Sequence, residues 1–191
     1  MKPCSLIADL SAKDFEKSKH DLSTNNPPSL LDALFRTDAV REIFSDRGRL
    51  QGMLDFEAAL ARSTARIGLI PGPAALKIES QCRGELFDIG ALSRGAAAAG
   101  NPAIPMVKAL TALVESKDHD AAHFVHWGAT SQDAMDTGLV LQLRSALQLI
   151  DTGLANLSDV LARLASQHKR TLVAGRTWMQ HAVPVTFGLK A

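Results

Sequence analysis

The chain has 191 residues, 46% of them hydrophobic, enough to bury a core and suited to one large domain or two small ones. Its 21 basic and 20 acidic side chains leave a formal net charge of +1, which gives no electrostatic basis for nucleic acid or an anionic membrane as the main partner. Aromatic residues make up only 5%, tyrosine is absent and alanine and leucine abound, so the composition argues for helix over sheet and an all-α fold is expected.

Residues 1–29 are polar and without apolar periodicity, and they run into Ser23-Thr24-Asn25-Asn26-Pro27-Pro28, so a flexible extension is expected there. Lys2, Asp9, Lys13, Asp14, Glu16, Lys17 and Lys19 break up any stretch that could serve as a signal peptide or anchor, and nothing later reads as a membrane span. The two cysteines, Cys4 and Cys82, match neither a metal-ligand spacing nor a disulfide framework; plain thiols in a reducing cytoplasm are expected, with no metal site.

An amino-terminal helical domain is expected over residues 30–128. From Asp38, the apolar positions Val40, Ile43 and Phe44, then Leu50, Met53, Leu54, Phe56, Ala58, Leu60 and Ala61 recur at helical spacing, with a break near Ser45 to Gly48. That pattern predicts a short helix followed by a longer one, ended by Gly68 and the Pro71-Gly72-Pro73 cluster, with another short helix over Ala74 to Cys82. Asp88 to Ala99 permits a further helix, Gly100-Asn101-Pro102 interrupts it, and Pro105 to Val114 carries Met106, Val107, Leu110, Leu113 and Val114 on one face. An acidic, His-containing stretch then leads to Val125.

Residues 129–191 are expected to begin a second, bundle-forming domain. Ser131 to His168 contains no proline, and Leu143, Ala146, Ile150, Leu154, Leu157, Leu161 and Leu164 follow a three-four spacing, the seam of a helical bundle. At 1.5 Å per residue such a helix would be roughly 55 Å long, longer than a compact domain of this size needs, which implies packing against helices from elsewhere. The alternative is a helix broken at Thr152-Gly153.

Two segments carry chemistry. In VHWGATSQDAMDTG, residues 125–138, Gly128 allows close approach of backbone to a ligand, Thr130 and Ser131 offer hydroxyls, and Thr130 to Asp133 has the capping-box spacing. A helix N-terminus favours an anion, but from the spacing alone the better reading is that Thr130 only caps its helix and that His126 is a structural hydrogen-bonding histidine. In the second segment, Arg176 can grip a carboxylate bidentately beside Thr177, Gln180 and His181, and Pro184 is expected to open the next helix; a polar interhelical turn is the other reading.

Read together, VHWGATSQDAMDTGL and GRTWMQHAVPVTFGLK resemble the first and second signature regions of the fumarase/aspartase superfamily, one long helix apart as in that family. REIFSDRGRLQGMLDFEAALA, residues 41–61, and AGNPAIPMVKAL, residues 99–110, resemble its amino-terminal helices. The likeness runs from about residue 30 to residue 191. Within the superfamily it is greatest to the branch of 3-carboxy-cis,cis-muconate cycloisomerases, with adenylosuccinate lyases next. Lyases usually carry GRTH in the second region, where this chain has Trp178, and an indole cannot shuttle a proton at neutral pH.

The resemblance implies a small tricarboxylate substrate, intramolecular lactonisation, no metal or organic cofactor, and a homotetrameric full-length parent. It implies that Thr130 and Ser131 hold a substrate carboxylate, that His126 and Gln180 add polar contacts, and that Arg176 and Thr177 shape this site or a neighbour's. Asn101 falls near the position of a lyase histidine that this chain lacks. For proton delivery, His126 comes first and His181 second. The family's third signature, a serine-bearing mobile loop, does not occur in the 191 residues, so the polypeptide alone is expected to be inactive. Two further readings are an adenylosuccinate or argininosuccinate lyase relative and a non-catalytic helical oligomerisation module.

Overall fold

The computed structural model describes residues 32–191. The expectation for residues 1–29 lies outside the described residues. A single turn, α1 (Asp32–Phe35), belongs to one unit, and everything from Asp38 to Ala191 forms a second compact unit.

The second unit starts with α2 (Asp38–Ile43) and α3 (Asp46–Arg66), and the expected break between them is built by Ser45. Its hydroxyl donates to the Glu42 carbonyl at 2.7 Å and accepts from the Gly48 amide at 3.0 Å, so one side chain both ends α2 and caps α3. Leu50, Met53, Leu54, Glu57, Ala58, Ala61 and Thr64 form the buried stripe of α3. Gly68, with φ of 78°, turns the chain away, as its left-handed backbone conformation allows. Next comes α4 (Gly72–Gln81), which starts two residues earlier than the expected Ala74 because Pro73 fits the first helical turn.

After a 3-10 turn, Asp88 caps α5 (Ile89–Ala99) by accepting from the Ala91 amide at 3.1 Å. At the centre of the core lies α6 (Ala103–Glu115), in which Ala103, Met106, Leu110 and Val114 have no solvent exposure at all. Full burial of a side chain such as Leu54, Ile78 or Leu110 contributes roughly 1.5–3 kcal/mol, which makes the α3, α4 and α6 layer the stable part of the unit. A short α7 (His119–Ala122), capped by Asp118, sits in the stretch for which the sequence suggested no element.

The long helix α8 (Ser131–Gln167) is continuous through Gly153, as the bundle-seam reading requires and the broken-helix alternative does not. Its first part crosses α3 closely: a Cβ on Gly52 would lie 2.8 Å from the Gly138 carbonyl oxygen, and one on Gly138 would lie 2.9 Å from the Met53 amide nitrogen. Only glycine on both helices permits that approach. Gln142 reinforces the crossing by donating to the Ile43 carbonyl at 2.6 Å, satisfying an end of α2.

One expectation is corrected. Pro184 does not open a helix; it begins β2 (Pro184–Thr186), which pairs antiparallel with β1 (Leu172–Ala174), Pro184 standing opposite Ala174. Lacking an N–H, proline is tolerated at the first residue of an edge strand, and the two-stranded ribbon has nothing but edges. The following helical turn, α9 (Phe187–Lys190), starts three residues later and lies against the end of α8, where the Gly188 amide donates to the His168 carbonyl at 3.1 Å. Among the described residues this hairpin is the one departure from an otherwise helical architecture.

Candidate active site

The start of α8 is fixed by the capping box expected from the sequence. Thr130, in an extended conformation, accepts from the Asp133 amide, while the Asp133 carboxylate takes the Thr130 amide at 2.8 Å and its hydroxyl at 3.0 Å. Those bonds, backbone first and hydroxyl second, hold the Asp133 carboxyl below the usual carboxylate range, with a smaller contribution from the charge of His126. The Thr130 hydroxyl is thereby committed to the cap, and a carboxylate already occupies part of the helix entrance.

Ser131 is placed differently. Its oxygen accepts from Asn101 Nδ2 at 3.1 Å, and Asn101 Oδ1 in turn accepts from the Ala103 amide at 2.8 Å, so one asparagine side chain opens α6 and steadies the first residue of α8. Accepting that bond leaves the Ser131 O–H free to donate to a ligand. The chain neighbours of Asn101 and Ser131, Pro102 and Gln132, line a cavity of about 260 Å³ together with Arg49, Met53, Asp136 and Gln142.

His126 lies in the turn leading to the cap and adopts φ of 59°, a left-handed conformation uncommon outside glycine. Gly128 in the same turn has φ of 74°, which explains the glycine there. His126 Nδ1 meets Glu57 Oε1 at 2.6 Å across 69 positions of chain, and the two side chains are 16% and 0% exposed. The hydrogen bond that His126 donates to Glu57 raises the histidine above the ordinary imidazole range, against the opposing effect of burial. Glu57 escaped the sequence reading. The available signal was a carboxylate on the apolar stripe of α3, three residues after Leu54 and four before Ala61.

Arg176, Thr177, Gln180 and His181 are not brought to this place. They are exposed in the loop joining β1 to β2, closed by the Gly175 amide donating to the Val183 carbonyl at 2.8 Å, with Trp178 86% exposed among them. That loop follows the far end of α8, about 55 Å of helix away from Ser131. The structure therefore gathers Asn101, His126, Thr130 and Ser131 at one end of the long helix and leaves the second segment at the other. Cys82 adds no nucleophile: burial, with the charges of Glu57 and other carboxylates, pushes its thiol up to about 12.

A predominantly helical scaffold built round one long bundle-type helix places the chain among fumarase/aspartase-type helical proteins. Residues 34–191 match the family model described as Lyase, and the chain belongs to that family. It is similar to 3-carboxy-cis,cis-muconate cycloisomerase of Pseudomonas putida, 59% identical over 161 residues that make up 84% of this chain and 38% of that protein. It is also similar to nitrosuccinate lyase of Streptomyces davaonensis, 45% identical over 80% of this chain and 32% of that one. Among solved structures, the 3-carboxy-cis,cis-muconate lactonizing enzyme from Pseudomonas putida matches with a TM-score of 0.79 at 58% identity, covering 84% of this chain and 36% of the other. The chain thus spans less than two fifths of the length of these relatives.

Proposed function

We propose that this chain is the amino-terminal part of a 3-carboxy-cis,cis-muconate cycloisomerase, contributing residues 30–128 as an amino-terminal helical domain and 129–191 as the start of the central bundle. The observation that carries this reading is the 59% identity to the Pseudomonas putida cycloisomerase over 161 residues. Trp178 supports it, because a lyase that relied on a histidine at that point would lose its proton carrier.

In the reaction, a carboxylate oxygen of the tricarboxylate adds to a conjugated double bond of the same molecule: a C–O bond forms, the π bond breaks, and a proton is delivered to carbon to give the lactone. Negative charge spreads onto a neighbouring carboxylate on the way, so donors set in advance lower the barrier. Ser131 O–H is the best placed of these, steadied by Asn101; Thr130 contributes chiefly by capping α8. His126 delivers the proton; His181 is the second candidate only if a neighbouring copy brings it to the site. Arg176, Thr177 and Gln180 act on the site of a neighbouring copy in a homotetramer of the full-length protein, which needs no cofactor and works in the cytoplasm.

The exposed second half of α8 supports assembly. Leu147, Ile150, Leu154 and Leu157 are each more than half exposed, a long apolar strip that favours self-association. The deciding experiment follows the loss of the conjugated diene absorbance. The 191-residue chain alone is expected to show no turnover, and in the full-length protein Ser131→Ala and His126→Ala should each lower kcat/KM by about 100-fold or more. If both variants stay within a few-fold of the parent, the assignment is wrong.

A further inference from the structure

A carboxylate is buried on the apolar face of α3. Glu57 is 1% exposed, one of its oxygens meets His126 Nδ1 at 2.6 Å, and the other, Oε2, has no hydrogen-bond partner. Stability does not explain such a group. A well-packed apolar side chain is often neutral or better than a buried ion pair, and an unpartnered buried oxygen adds a further cost. The explanation has to come from the partner. His126 stands four residues before the cap of α8, in a strained left-handed conformation, close enough to Asp133 for each charge to act on the other.

We propose that Glu57 is a positioning residue: by taking the Nδ1–H of His126 it leaves Nε2 as the one ring nitrogen able to meet a substrate at the entrance of α8. The tautomer and the ring orientation then follow from a single short bond between α3 and the turn before α8. The charged groups acting on the ring are Glu57 from α3 and Asp133 from α8, and both favour its protonated form, in which Nε2–H is a donor. The inference rests on the cycloisomerase reading, in which His126 supplies a proton, and the Glu57 carboxylate favours the proton-bearing form of that ring.

The test is nitrogen NMR on the 191-residue chain labelled with 15N-histidine, with His126→Asn identifying the signal. In the parent, Nδ1 should stay protonated throughout while Nε2 titrates, with a midpoint above the ordinary histidine range. Glu57→Gln keeps the shape and an acceptor oxygen but removes the charge, and it should bring that midpoint back toward the ordinary range. An unchanged midpoint, or a neutral ring carrying its proton on Nε2, overturns the proposal. Should Glu57→Gln fail to fold by circular dichroism, the tautomer in the parent alone decides. Adding propane-1,2,3-tricarboxylate to the full-length protein separates the two ideas: an intact Nδ1 pattern with no response of Nε2 there counts against the substrate reading, while the Nδ1 pattern alone decides the positioning role. In the full-length enzyme, Glu57→Gln should move the alkaline limb of the pH–rate profile to lower pH, because the donor form of His126 is lost sooner.

Discussion

The two halves of α8 are built from the same residue types and differ in what they touch. Over Ser131 to Ala146, Ala134, Gly138, Gln142 and Ala146 are buried at a spacing of four, and glycines on both helices let α3 come within backbone contact. Beyond Ala146 the three-four spacing continues with leucine and isoleucine, yet Leu147, Ile150, Leu154, Leu157 and Leu161 all remain exposed. Helix formation therefore does not require burial here. A capping box at one end and a run without proline carry the helix forward, while burial depends on whether another surface is present.

The largest effects should separate core from strip. Leu110→Ala is expected to cost about 2–5 kcal/mol in chemical denaturation, whereas Leu154→Ala should change stability by less than about 0.5 kcal/mol at concentrations where sedimentation reports a monomer. Comparable losses at both positions would mean that the strip is covered even in the monomer. Next come the glycines. Gly138→Ala should destabilise by about 1–3 kcal/mol, since its new Cβ would meet the α3 backbone, while Gly153→Ala, with nothing within 4 Å, should stabilise by up to about 1 kcal/mol through helix propensity. The same substitution with opposite signs in one helix would be the sharpest form of the contrast.

Removing the cap by Thr130→Ala should cost about 1 kcal/mol, read as a lower melting temperature. The smallest effect concerns pH. Because the His126 pKa is raised in the folded state, the stabilisation from its pair with Glu57 is fully present below the unfolded value near 6.5 and is lost as pH rises through the raised folded value. Denaturation midpoints across that window should fall in the parent and stay flatter in Glu57→Gln.

Much of the helical layout was legible because its signals are short-range. Ser45, Asp88 and Thr130 each cap the helix that follows them, Gly68 and Pro71 mark a stop, and the apolar spacing of α3 and α6 shows which face is buried. The β1–β2 hairpin was not, since Pro184 suits the first turn of a helix as well as the start of an edge strand, and nothing within a few residues separates the two. The site was half legible. The Thr130 cap could be read from spacing, but the bond from Asn101 to Ser131 joins positions 30 apart and the pair of Glu57 with His126 joins positions 69 apart.

The sequence by itself determined the helical class, most element boundaries and the two ends of the long helix, because caps, prolines and periodicity act within a turn or two, and its two signature-like segments carried the resemblance to the family. Only the tertiary structure decided which of the candidate residues share one place, that Thr130 is spent on its helix while Ser131 keeps a donor, and that His126 is held by a buried carboxylate. Those are facts about pairs of side chains far apart in the chain, and they exist only once α3, α6 and α8 have packed.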